Sequence, residues 1–169
     1  MLKLTLWAVL ALAALTVALV QWRAHTARSE FPPEGQFIDV GGHPVHYVLQ
    51  GSGPDVVLLH GANGSTRDMT FSLVGKLSAN YRVLVMDRPG LGYTPPLGAN
   101  MTISDQAQLL QAAAAQLGMP NPVVVGQSFG GAITMAWAVN HPGNIAAAVS
   151  IAGATYPWEG GQDPLYTVL

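Results

Sequence analysis

Val123-Val124-Val125-Gly126-Gln127-Ser128-Phe129-Gly130-Gly131 is the stretch on which the fold turns. Three β-branched residues read as a short buried strand, and Gly130 to Asn140 reads as a helix stopped near Pro142-Gly143. Between them lies the pattern G-x-S-x-G. A chain that reverses from strand to helix within so few residues leaves Ser128 on a strained turn, its Oγ projecting above the sheet edge. Gly126 and Gly130 are required because side chains there would collide with neighbouring backbone. The Phe129 N–H, at the helix start, points toward the same space and is reinforced by the helix dipole. G-x-S-x-G alone carries little information; the strand before it and the helix after it make it specific.

Upstream, Val56 to Leu59 is another continuous apolar run, as expected of a strand buried on both faces. It enters His60-Gly61-Ala62-Asn63-Gly64, a flexible loop of the kind that supplies a second oxyanion donor. Tyr81 to Met86 reads as a further buried run, followed by Asp87-Arg88-Pro89-Gly90-Leu91-Gly92. In this order and spacing the three segments resemble the α/β-hydrolase family, from about Phe37 to the C-terminus. The resemblance implies a partial α/β-hydrolase fold, a mostly parallel sheet with flanking helices, and a nucleophile at Ser128. It implies the Ala62 N–H as the donor beside the Phe129 N–H. His60, Gly61, Gly126, Gln127 and Gly130 are the supporting positions. No cofactor is called for, and no His/Asp/Glu cluster has metal-ligand spacing.

The family's order puts the triad acid and then the histidine after the serine. His60 precedes Ser128, so it is read as ordering the oxyanion loop by hydrogen bonding. Asp87 also precedes it and is read, with Arg88, as a turn or cap. His43 and His46 fall on an early hairpin and are read as structural or exposed. His25 falls in a linker, and His141 suits the C-terminus of the helix after the nucleophile. The acids after Ser128 are Glu159 and Asp163, in a Gly/Pro-rich stretch read as loop. No histidine follows His141. The triad acid and base are therefore expected beyond residue 169, and this chain alone is expected to be inactive.

Only 9% of residues are charged, against ~25% in an average soluble domain. With a net charge of −2 and no basic cluster, a nucleic-acid partner is not expected. There is no cysteine, so disulfides are excluded. Part of the apolar excess is Leu4 to Val20, which holds no charged residue and would be about 26 Å long as a helix at ~1.5 Å per residue. Trp7 and Trp22 lie near its ends, where amphipathic rings favour an interface. The segment reads as a single-pass membrane anchor. The alternative is a cleaved signal, with a secreted or periplasmic product. Against that alternative, the run is long and Ala24-His25-Thr26 is a poor cleavage site. A buried core helix would not be apolar on every face.

The expected organisation is a membrane segment over 1–22, a polar linker over 23–35 containing Pro32-Pro33, and hydrolase domain over 36–169, its C-terminal part absent. Strands over 37–40 and 44–49 join through Gly41-Gly42. A single helix is expected over 68–77, a loop over 87–100, a helix over 103–117 with Thr102 as N-cap, and a strand over 145–152. Gly75-Lys76 lacks a phosphate loop, and Gly90-x-Gly92 lacks the third glycine of a dinucleotide site. The expected activity is serine hydrolysis of a small carboxylic ester or related acyl substrate through an acyl-enzyme. The alternative is a truncated, non-catalytic fragment or a binding protein on a hydrolase scaffold.

Overall fold

A computed structural model describes residues 2–155. They form two units divided at Glu34. The first is helix α1, Leu2–Glu30, with no buried residue in the stretch that, from Thr5, is apolar enough to cross a membrane, a property a signal sequence shares. It overruns the linker expected over 23–35. Nothing between Ala24 and Glu30 breaks a helix, and the Thr26 and Ser29 hydroxyls fold back onto the carbonyls of Trp22 and His25. The helix stops just before Pro32-Pro33, where ring sterics forbid continuation.

The second unit is a six-stranded sheet: β1 Gln36–Val40, β2 His43–Gln50, β3 Asp55–Leu59, β4 Arg82–Met86, β5 Val123–Gln127 and β6 Ala147–Ile151. Their spatial order is β1-β2-β4-β3-β5-β6. β2 is antiparallel to β1 and β4; the pairs β3–β4, β3–β5 and β5–β6 are parallel. Side chains alternate across a sheet. Val57 and Leu59 therefore meet a core under α4 (Ile103–Gln116) and α5 (Phe129–Asn140), with Leu110, Ile133 and Trp137. Val56 and Leu58 meet a smaller core with Met69 and Val74 on the opposite face. Burial on both faces is why these strands read as unbroken apolar runs.

The helix expected over 68–77 is two helices, α2 Thr66–Thr70 and α3 Leu73–Leu77. Ser65 and Asp68 form a capping box that starts α2 earlier, and Ser72 leaves helical geometry at φ −148°. Thr102 and Asp105 cap α4 in the same way. Every residue of edge strand β6 is exposed, including Val149 and Ile151.

Candidate active site

β5 ends and α5 begins around Ser128, whose backbone lies at φ 52°, ψ −119°. Three hydrogen bonds hold this unfavourable conformation. The Ser128 N–H donates to the Ile151 carbonyl at 2.9 Å, and the Ser128 carbonyl accepts from Gly131 N–H at 2.9 Å and Ala154 N–H at 3.1 Å. Two close approaches make the turn dependent on glycine. A Cβ on Gly126 would overlap the Gly130 carbonyl, and one on Gly130 would overlap the carbonyl of Leu59 and lie 2.7 Å from that of His60. The end of β3 is thereby seated directly on the start of α5. A Cβ on Gly61 would lie 3.2 Å from Ser128 Cβ, so the His60-Gly61-Ala62 loop runs beside the serine. Among the described residues, the amides of Ala62 and Phe129 donate to no other backbone group outside the regular elements. Phe129 is the first residue of α5, where helix amides have no intrahelical acceptor.

Beneath the loop is a buried polar cluster. His60 is fully buried; its Nε2 accepts the Arg88 N–H at 3.0 Å, which leaves Nδ1–H to donate to the Gly61 carbonyl at 3.0 Å. Burial pushes its pKa down, and the charge of Arg88 adds to that effect. His60 is therefore neutral near pH 7 with both ring nitrogens engaged. His46 is engaged in the same manner: Nδ1 lies 2.7 Å from Asp87 Oδ2, and Nε2 accepts the Gly35 N–H at 3.3 Å. Asp87 also accepts from Thr66 N–H at 2.6 Å and Tyr93 N–H at 2.9 Å. It thus ties together the loops after β3 and β4, which is a turn-and-cap role.

Arg88 completes the cluster. Nη2 donates to the Gly61 carbonyl at 2.8 Å and Nη1 to Gln106 Oε1 at 3.2 Å, while the guanidinium carbon stands 4.8 Å from the Phe129 ring centroid. Burial lowers its pKa to about 10, which still leaves it charged at neutral pH. An open cavity of about 490 Å³ lies elsewhere, against α4, between Val40, Leu97, Met101 and Leu109. It includes neither Ser128 nor its neighbours.

Residues 54–166 match the α/β-hydrolase fold family. The chain belongs to that family. It is 33% identical over 112 residues to the pimeloyl-[acyl-carrier protein] methyl ester esterase of Vibrio vulnificus, covering 65% of this chain and 41% of the esterase. It is 29% identical over 129 residues to haloalkane dehalogenase 2 of Mycobacterium tuberculosis, covering 76% of this chain and 44% of the dehalogenase. Among solved structures, a meta-cleavage product hydrolase from Pseudomonas fluorescens superposes with a TM-score of 0.69 at 25% identity, covering 74% of this chain and 47% of that one. The chain thus spans less than half the length of these relatives.

In this α/β-hydrolase chain, Ser128, Phe129, Gly126, Gly130, His60, Gly61 and Ala62 lie in one neighbourhood, and Gln127 stands exposed beside the serine. Glu159 and Asp163 lie outside the described residues. Sequence reasoning missed the reach of Arg88, Gln106 and His46. A signal was present: Asp87-Arg88 directly follows a buried strand in a chain poor in charge.

Proposed function

We propose that this protein is a serine hydrolase of carboxylic esters or related acyl compounds. The observation that carries the proposal is the strained backbone of Ser128 between β5 and α5. Ser128 Oγ attacks the acyl carbonyl carbon, its proton passes to a general base, and the carbonyl oxygen becomes an oxyanion held by the Phe129 and Ala62 amides. Collapse expels the alcohol, which takes the proton, and leaves an acyl-enzyme. Water then attacks the acyl carbon, releasing the acid and restoring the serine. By the family resemblance, dehalogenases and epoxide hydrolases carry aspartate at the nucleophile position, so the serine favours ester chemistry. The esterase named above supports the same class.

In protein expressed from its native gene, a fluorophosphonate probe is expected to label Ser128, and Ser128→Ala to abolish the labelling. Undiminished labelling of Ser128→Ala would put the nucleophile elsewhere. A second reading, a binding protein on a hydrolase scaffold, draws support from the engaged ring nitrogens of His46 and His60. Complete absence of labelling in the unsubstituted protein would favour it.

We further propose that α1 anchors the protein in a membrane, since its apolar run approaches the ~30 Å hydrocarbon core. Carbonate-washed membranes are expected to retain the intact chain, and a variant beginning at Phe31 is expected to be released. Intact chain in the soluble fraction would refute the anchor, and a shorter mature mass would indicate a cleaved signal.

A further inference from the structure

We infer that Arg88 is a positioning residue of the oxyanion site: its guanidinium holds the Gly61–Ala62 peptide and the Phe129 ring together, aiming both amide donors. This rests on the serine-hydrolase reading of Ser128. The Gly61 carbonyl and the Ala62 N–H belong to one peptide unit, and no described peptide bond is cis. In a trans peptide the two groups point in opposite directions. The Gly61 oxygen is gripped from below by Arg88 Nη2 at 2.8 Å and His60 Nδ1 at 3.0 Å. With the carbonyl fixed downward, the N–H is fixed upward.

The same guanidinium lies against the ring of Phe129, the residue that carries the other donor. Gln106 on α4 holds Nη1 and so fixes the orientation of the fork. The Arg88 backbone contributes as well. Its N–H occupies His60 Nε2 and thereby commits the His60 proton to the Gly61 carbonyl. One residue thus sets the two shorter of three grips on that oxygen, the third being the Gly64 N–H at 3.3 Å.

Charge points the same way. Arg88 is 4% exposed, and among the described residues no carboxylate pairs with it. Its neighbour Asp87 spends its oxygens on Thr66, Tyr93 and His46. Its Nε has no partner among the described residues. A buried, unpaired cation is a poor way to stabilise a core, where an apolar residue of similar volume does as well or better. Beside a site where negative charge develops, the same cation polarises the Gly61–Ala62 peptide and strengthens its N–H as a donor.

The test uses protein expressed from its native gene and p-nitrophenyl acetate as substrate, with Arg88→Met, Arg88→Lys and Ser128→Ala. Methionine keeps an apolar stem under Phe129 but cannot hold the Gly61 oxygen. Its kcat is expected to fall about a hundredfold, the scale of losing one oxyanion donor, while KM changes less than about threefold. Lysine keeps the charge and one donor, and is expected to recover part of kcat. The Ala62 amide resonance is expected to move in Arg88→Met and to return partway in Arg88→Lys. A kcat for Arg88→Met within threefold of the unsubstituted protein would overturn the inference. A loss that merely tracks the folded fraction, or failure of both variants to fold, would assign Arg88 to stability and overturn it too. Turnover surviving Ser128→Ala, or none in the unsubstituted protein, would instead overturn the serine-hydrolase reading.

Discussion

Asp87→Ala is expected to remove most of the stability of the folded domain. The carboxylate is fully buried and is the acceptor for Thr66 N–H, Tyr93 N–H and His46 Nδ1. Alanine deprives all three donors of it in the buried interior. A buried donor left without its acceptor costs about 1–3 kcal/mol. Three of them approach the ~5–15 kcal/mol that separates folded from unfolded domains, although losses at one centre do not add strictly. Gly92 increases the dependence, because its backbone, at φ 53°, lies directly over the carboxylate. Asp87→Asn retains one acceptor oxygen but turns an NH₂ toward an existing donor, so it is expected to fall between alanine and the unsubstituted protein. Denaturant titration measures both. An Asp87→Ala variant within 1 kcal/mol of the parent would show that the carboxylate does not organise these loops.

The two halves of the site differ in how they are written in the chain. Ser128 and its glycines were legible because a strand-to-helix reversal is local: the collision that demands glycine at 126 involves the carbonyl of residue 130. The sheet was legible for a related reason, since strands buried on both faces must be apolar throughout. The Arg88 cluster was not legible to the same degree. Its partners are Gly61 and Gln106, which lie 27 and 18 residues away and touch it only after β3, β4 and α4 have assembled. His46 read as structural or exposed, since a hairpin histidine has no local cue to burial. Its partner Asp87 is 41 residues on. The helix over 68–77 divided at Ser72, where an otherwise amphipathic run hid a break in the backbone. The linker over 23–35 was obscured differently. Polar residues there suggested loop, yet Thr26 and Ser29 satisfied their own hydroxyls on the helix, leaving Pro32-Pro33 as the true stop.

Gly130→Ala and Gly75→Ala are expected to move stability in opposite directions, although both replace a helical glycine by the best helix former. By propensity alone each should stabilise the protein by up to about 1 kcal/mol. At Gly75 in α3 an added methyl meets nothing within 4 Å, so that gain should appear. At Gly130 the methyl would overlap the Leu59 carbonyl oxygen and lie 2.7 Å from the His60 carbonyl oxygen. Both obstacles are backbone at the end of β3, and neither can rotate aside as a side chain could. Relief requires α5 to move away from the sheet. Overpacking of this kind typically costs 1–3 kcal/mol and sometimes more; opposing backbone argues for the upper end. The displacement has a second consequence. The Leu59–Ala62 segment leads to one proposed oxyanion donor and α5 begins with the other, so separating them spreads the pair. In protein expressed from its native gene, fluorophosphonate labelling of Gly130→Ala should therefore fall further than its folded fraction does, while Gly75→Ala labels like the parent. Denaturation midpoints read the first effect and labelling rates the second. A Gly130→Ala variant as stable as Gly75→Ala would mean that the β3–α5 contact is looser than its geometry indicates.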